Sequence, residues 1–162
     1  MLRRDRPKAT DFCRTLSIEL DADSLDRCKL MVDGKEEILC EGQGARVVIA
    51  MFGRDRSPAG EFLQHLAKKE QNEFDKLAAL LERVAELGPQ NYRNDEKVKQ
   101  LGDGLFEFKS GQVRVFWCYG RAVGEKRKVV LLNGVVKKQD RHRASDVKKA
   151  VNLMTEWKAR NG

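Results

Sequence analysis

The sequence predicts a mixed α and β (α+β) fold: an antiparallel-rich twisted sheet, an N-terminal helical hairpin packed on it, and a C-terminal helix. Three observations carry this. Residues 105–136 read as three successive strands. Residues 57–87 repeat apolar side chains at helical spacing. Residues 144–158 do the same once more.

The three strands come first because they organise the rest. Leu105 to Phe108 is short and apolar with Glu107 inside it. Val113, Val115, Trp117 and Tyr119 alternate with Arg114, Phe116 and Cys118, the period of two that a pleated strand imposes. Val129 to Val136 is nearly continuously apolar, as expected of a strand covered on both faces. Ser110-Gly111 signals a tight turn, and Arg121 to Lys128 reads as a looser polar connection.

Upstream, Arg46 to Phe52 is an apolar strand expected inside the sheet. Ser57-Pro58 opens a helix, because Ser accepts from orphan N–H groups and Pro lacks an N–H the first turn cannot use. Phe62, Leu63 and Leu66 form one stripe; Phe74, Leu77, Leu80, Leu81, Val84 and Leu87 form another. Lys68 to Asn72 breaks or bends the run, so 57–87 is two helices or one bent helix. Gly88-Pro89 ends it. Gln90 to Gln100 reads as a polar connection. In the last helix Val147, Val151, Met154 and Trp157 share a face.

Residues 1–44 read as an extension with weak β character, ahead of one domain over 45–162. Phe12 to Leu20 alternates like a short strand. Lys29 to Val32, Asp33-Gly34 and Glu36 to Cys40 read as a small hairpin.

The chain has 162 residues and a net charge of +7. Residues 104–162 hold 14 Lys and Arg against 5 Asp and Glu, or +9; residues 1–103 hold 18 against 20, or −2. This asymmetry points to a polyanion partner for the C-terminal third, nucleic acid first, with an acidic protein fitting the same charges. The cysteines at 13, 28, 40 and 118 make no C-x-x-C pair, and with two histidines no zinc pattern assembles. Such cysteine usage suits a reducing cytoplasm. No apolar h-region follows the basic N-terminus, and no run approaches the ~18 apolar residues of a membrane span.

Four segments, in order, are similar to those of a known family. Ser57-Pro58 with Glu61-Phe62-Leu63 resembles the first helix of RelE/ParE-superfamily toxins of the HigB-like, phage-associated branch. Leu101-Gly102-Asp103-Gly104-Leu105-Phe106-Glu107-Phe108, Gln112-Val113-Arg114-Val115-Phe116 and Leu131-Leu132-Asn133-Gly134-Val135-Val136-Lys137-Lys138 resemble later segments of that branch. The resemblance covers about residues 46–158 and leaves out 1–44. It implies a small RelE-like fold, a toxin of a type II toxin–antitoxin pair, and cutting of mRNA within the ribosome. It also implies a cognate antitoxin, expected to be a helix-turn-helix protein, with operator DNA reached only through the antitoxin complex and no membrane partner. Where the branch often has His and Phe in the last strand, this chain has Asn133 and Val135. Asn133 cannot transfer protons as an imidazole does.

RNA can be cut without a metal or other cofactor when its own 2′-OH attacks the adjacent phosphate. Arg114 suits the charge on phosphorus, because its planar fork matches phosphate oxygens. The competing reading is a solvated residue on a polar sheet face. Lys137 and Lys138 are neighbours that a regular strand points to opposite sides, so one is expected at the phosphate and the other in solvent; both are otherwise solubilising charge. His142, between Arg141 and Arg143, is the candidate for proton transfer or part of an RNA-facing loop. Arg141 and Arg143 join Lys109 and Tyr119 as candidate RNA contacts, Tyr119 by stacking on bases. Glu107 is expected to pair with Arg114 or a lysine across the sheet, or to orient one of them. His65 reads as structural or exposed, and Trp117, which could also stack on bases, reads as core because it shares a face with Val113 and Val115. The alternatives to a nuclease are a non-nucleolytic superfamily member that inhibits DNA gyrase and a basic RNA-binding module that does not cut.

Overall fold

The computed structural model describes residues 36–53, 56–92, 94, 96–138 and 144–161. The stretches read above as 12–20 and 29–32 lie outside these, as do Arg141, His142 and Arg143.

Nine elements follow in order: β1 (Glu36–Glu41), β2 (Ala45–Ala50), α1 (Pro58–Lys69), α2 (Gln71–Leu87), β3 (Val98–Gly102), β4 (Leu105–Ser110), β5 (Val113–Val123), β6 (Lys126–Val136) and α3 (Ala144–Asn161). The strands form one six-stranded sheet in the order β1-β2-β6-β5-β4-β3. Only β2 and β6 run parallel, with Ile49 beside Leu131; the other neighbours are antiparallel.

Each face of the sheet buries its own core. Val113, Val115, Trp117, Val129 and Leu131 face the α1–α2 hairpin. Phe116, Cys118, Val130 and Leu132 face α3, meeting Ala150, Leu153, Met154 and Trp157. The alternation read along β5 therefore sorts its side chains as expected. β6 is covered on both faces, which its continuous apolar sequence demanded.

The helical run is two helices. Ser57 caps α1: its Oγ accepts from the Gly60 N–H (3.2 Å) and donates to the Ala50 carbonyl (3.2 Å). Glu70 leaves the helical region (φ −138°, ψ 60°) between α1 and α2. Gly88, at φ +80°, closes α2, where a side chain would be strained.

Two expectations are corrected. Residues 90–100 are not all connection, because Val98–Gly102 forms the edge strand β3. Its polar residues are tolerated there since one edge meets solvent. The Asp103-Gly104 turn to β4 has positive φ at both positions (52° and 82°), the backbone of a two-residue hairpin. Residues 121–128 are not a loose connection either. β5 runs to Val123 and β6 restarts at Lys126, so a polar hairpin tip continues the ladder.

Residues 36–44 belong to the same sheet. β1 pairs with β2, and a register shift after Ile38 turns both Leu39 and Cys40 toward the α2 side. The intervening loop lies against the end of α2, where the Gly44 N–H donates to the Ala85 carbonyl (3.0 Å). A Cβ at Gly44 would fall 2.3 Å from the Gly88 backbone nitrogen. Ion pairs fix β1 from the other side: Lys128 Nζ to Glu36 Oε1 (2.6 Å) and Lys126 Nζ to Glu41 Oε1 (3.0 Å).

Candidate functional site

The antiparallel registers bring cations to one end of the α3-facing sheet surface. Lys109 on β4 lies directly opposite Arg114 on β5, and Arg114 opposite Val135 on β6. The next row holds Glu107, Phe116 and Asn133. Cross-strand partners share a face, so these residues line one surface.

Arg114 is half-buried and tied to its own turn. Its Nη1 donates to the carbonyls of Gly111 (2.6 Å) and Val113 (2.9 Å). Gly111 sits at φ +59°, which lets the β4–β5 turn present that carbonyl. The Arg114 Nε is buried and makes no hydrogen bond among the described residues.

Glu107 is fully buried, and Lys109 Nζ lies 3.9 Å from its Oε1. The pairing was expected across the sheet; the contact with Lys109 instead runs along one strand, two residues apart, where side chains share a face. A buried carboxylate needs such a countercharge.

Asn133 owes its position to a bulge. Phe116 pairs with Asn133 while Trp117 pairs with Leu131, so Leu132 is an extra residue in β6. Both Leu132 and Asn133 then take the α3 side. Asn133 is 2% exposed and its Oδ1 has no hydrogen bond among the described residues. Nothing in the pattern of apolar residues marks this bulge in advance.

Lys137 and Lys138 follow the end of β6, Lys137 half-buried and Lys138 exposed. The Lys137 N–H donates to the Gln112 carbonyl (2.7 Å), carrying β6 alongside β5 for one more residue next to the Arg114 turn.

Tyr119 lies elsewhere. Five residues along β5 from Arg114, it takes the hairpin-facing side and sits roughly 16 Å away at the usual strand rise. It meets Trp117 edge-on (5.1 Å between ring centroids), and the Arg127 guanidinium lies over its ring at 5.4 Å. Burial raises its phenol above the ordinary value despite that cation. Trp117 is fully buried and His65 is exposed.

A hollow of about 190 Å³ opens on the hairpin side of the same sheet end. Leu66, Glu70, Glu73, Gln112, Val113 and Val136 line it. Among the described residues, no three His, Cys, Asp or Glu side chains gather as a metal site requires. No helix there is long and apolar enough to cross a membrane.

A helix-clasped, largely antiparallel sheet with cations crowded at one end defines a small basic α+β protein. Residues 61–155 match the family described as Phage derived protein Gp49-like (DUF891), and the chain belongs to that family. It is a family of the toxin type of toxin–antitoxin systems, which implies an antitoxin as partner. No curated protein matches the chain.

Proposed function

We propose that this protein is the toxin of a type II toxin–antitoxin pair and cuts mRNA at the ribosome, in the manner of the RelE/ParE superfamily's HigB-like branch. The observation that carries the reading is Lys109 set directly opposite Arg114 on an accessible sheet end. Like charges in facing positions cost stability, so a phosphate that takes both is the natural occupant.

In this mechanism the RNA 2′-OH attacks the neighbouring phosphorus and the 5′ oxygen leaves. Arg114 stabilises the added negative charge. Its Nη1 is committed to the turn carbonyls, which fixes the guanidinium plane and leaves Nη2 for phosphate oxygens. Lys109 supplies the second cation, oriented by Glu107. Lys137 and Lys138 extend the positive field along the strand end. His142 is assigned the proton transfer, with Arg141 and Arg143 beside it on the RNA. The antitoxin, a helix-turn-helix protein, masks this surface and carries the pair to operator DNA. The site of action is the cytoplasm.

The test is induction of the wild type and of Arg114→Ala, with 5′ ends of cellular transcripts mapped. Cleavage and growth arrest by the wild type alone support the reading. Arrest that survives in a folded Arg114→Ala protein overturns it.

A second reading, binding and inhibition of DNA gyrase without cleavage, is favoured by Asn133. A buried carboxamide stands where the branch often has an imidazole, and it can neither give nor take a proton. Blocked supercoiling with intact transcripts is its signature.

A further inference from the structure

Three aromatic rings form a ladder through the hairpin-facing side of the sheet. Trp117 stacks with Phe108 (4.8 Å between centroids, 13° between planes) and with Phe106 (4.6 Å, 21°). Phe108 and Trp117 are fully buried, while Phe106 is half-buried. The ladder thus climbs from the core to the surface and ends on Phe106. Tyr119 stands edge-on to that last ring at 5.3 Å.

Two arginines stand at this end, with exposed Glu125 at the hairpin tip between them. Arg127 is exposed and lies over the Tyr119 ring. Arg121 is exposed on the adjoining strand, beside the irregular β5–β6 register. Lys126 and Lys128, which flank Arg127, turn to the other side and bind Glu41 and Glu36. Strand alternation therefore leaves Arg127, and not its neighbours, with the aromatic group.

We propose that Phe106, Tyr119 and Arg127 form a stacking platform for the unpaired bases of single-stranded RNA, on the face opposite Lys109 and Arg114. A planar base continues the ladder beyond Phe106, Tyr119 walls it on one side, and Arg127 and Arg121 meet the flanking phosphates. Stacked rings with interleaved arginines grip single strands with little sequence preference, since every base has a π-face. This surface lies outside the nuclease reading and stands whether or not the protein cuts RNA.

The test uses the full-length protein and a 12-residue 2′-O-methyl oligoadenylate, which cannot undergo 2′-OH attack, with an abasic oligomer of equal charge as control. The wild type is expected to bind the base-bearing oligomer more tightly. Phe106→Leu and Tyr119→Leu are each expected to weaken that binding at least about fivefold and to leave abasic binding unchanged. Arg127→Gln, at an exposed position that leaves the core intact, is expected to weaken binding of both oligomers. Arg114→Ala is expected to keep the preference for bases. Equal affinity for the two oligomers, a preference untouched by the Leu variants, or a preference lost only in Arg114→Ala overturns the proposal.

Discussion

Lys109 and Arg114 occupy directly facing positions on β4 and β5, with the buried carboxylate of Glu107 3.9 Å from the lysine. The arrangement is a balance. Two facing cations repel by a few tenths to about 1 kcal/mol, and a buried carboxylate without a countercharge costs more. Lys109→Met is therefore expected to destabilise the protein by about 1–2 kcal/mol, because it strips charge from beside Glu107. Adding Glu107→Gln to that variant is expected to restore roughly 1 kcal/mol. Urea unfolding of the two single variants and the double variant measures the coupling; strictly additive effects contradict it.

Gly134 lets α1 reach β6. A Cβ there would fall 2.2 Å from the Phe62 ring, inside any tolerable contact. Gly134→Ala is expected to cost about 2–3 kcal/mol through a displaced helix. Phe62→Leu in the same chain is expected to recover part of that loss, which thermal unfolding of the pair checks.

Acid is expected to loosen β1. The Lys126 ammonium, hydrogen-bonded to Glu41, and then Arg46 hold the Glu41 carboxyl below its usual range. The native state favours the ionised form, so the contribution is present at neutral pH. It is lost as pH falls below the ordinary carboxylate value of 4.5 and through the lowered one. The pair is substantially exposed, so the effect is small. Amide exchange in β1 is expected to accelerate on acidification in the wild type and much less in Glu41→Gln.

The thiols of Cys40 and Cys118 are expected to be inert in the folded protein. Burial pushes Cys40 up to about 12, helped by the charge of Glu82, and Cys118 up to about 11 against the pull of Lys158. Thiolate is the reactive form, so at pH 8 a disulfide reagent is expected to modify these two only as fast as the chain unfolds. Modification at the rate of a free thiol contradicts this.

How far the fold was legible varied with burial. The Val113–Tyr119 alternation, the Ser57-Pro58 start and the Gly88 stop each encode a local geometry in residue type, and each is seen in place. β3 was not legible, because Lys99 and Gln100 are exposed on an edge strand and leave no apolar period. The long β5–β6 tip was missed for the same reason: ladder hydrogen bonds belong to the backbone and need no apolar side chains. At the candidate site, Arg114 announced itself as a charged residue alternating with apolar Val113 and Val115. Its opposition to Lys109 depends on a register that only the closed β4–β5 hairpin sets. Asn133 was noticed as a departure, while its burial follows from a bulge with no sequence mark. Tyr119 looked like a companion of Arg114, yet the odd step of five residues along β5 puts it on the other face.

The side-by-side run of β2 and β6 has a consequence for synthesis. Ile49 pairs early with Glu37 of β1, but its parallel neighbour Leu131 comes about eighty residues later. At the ~5–20 residues per second of a translating ribosome, the early strands wait several seconds for the strand that completes their sheet. The surface carrying Lys109 and Arg114 is therefore completed only once β6, which sets Val135 beside Arg114, has been made.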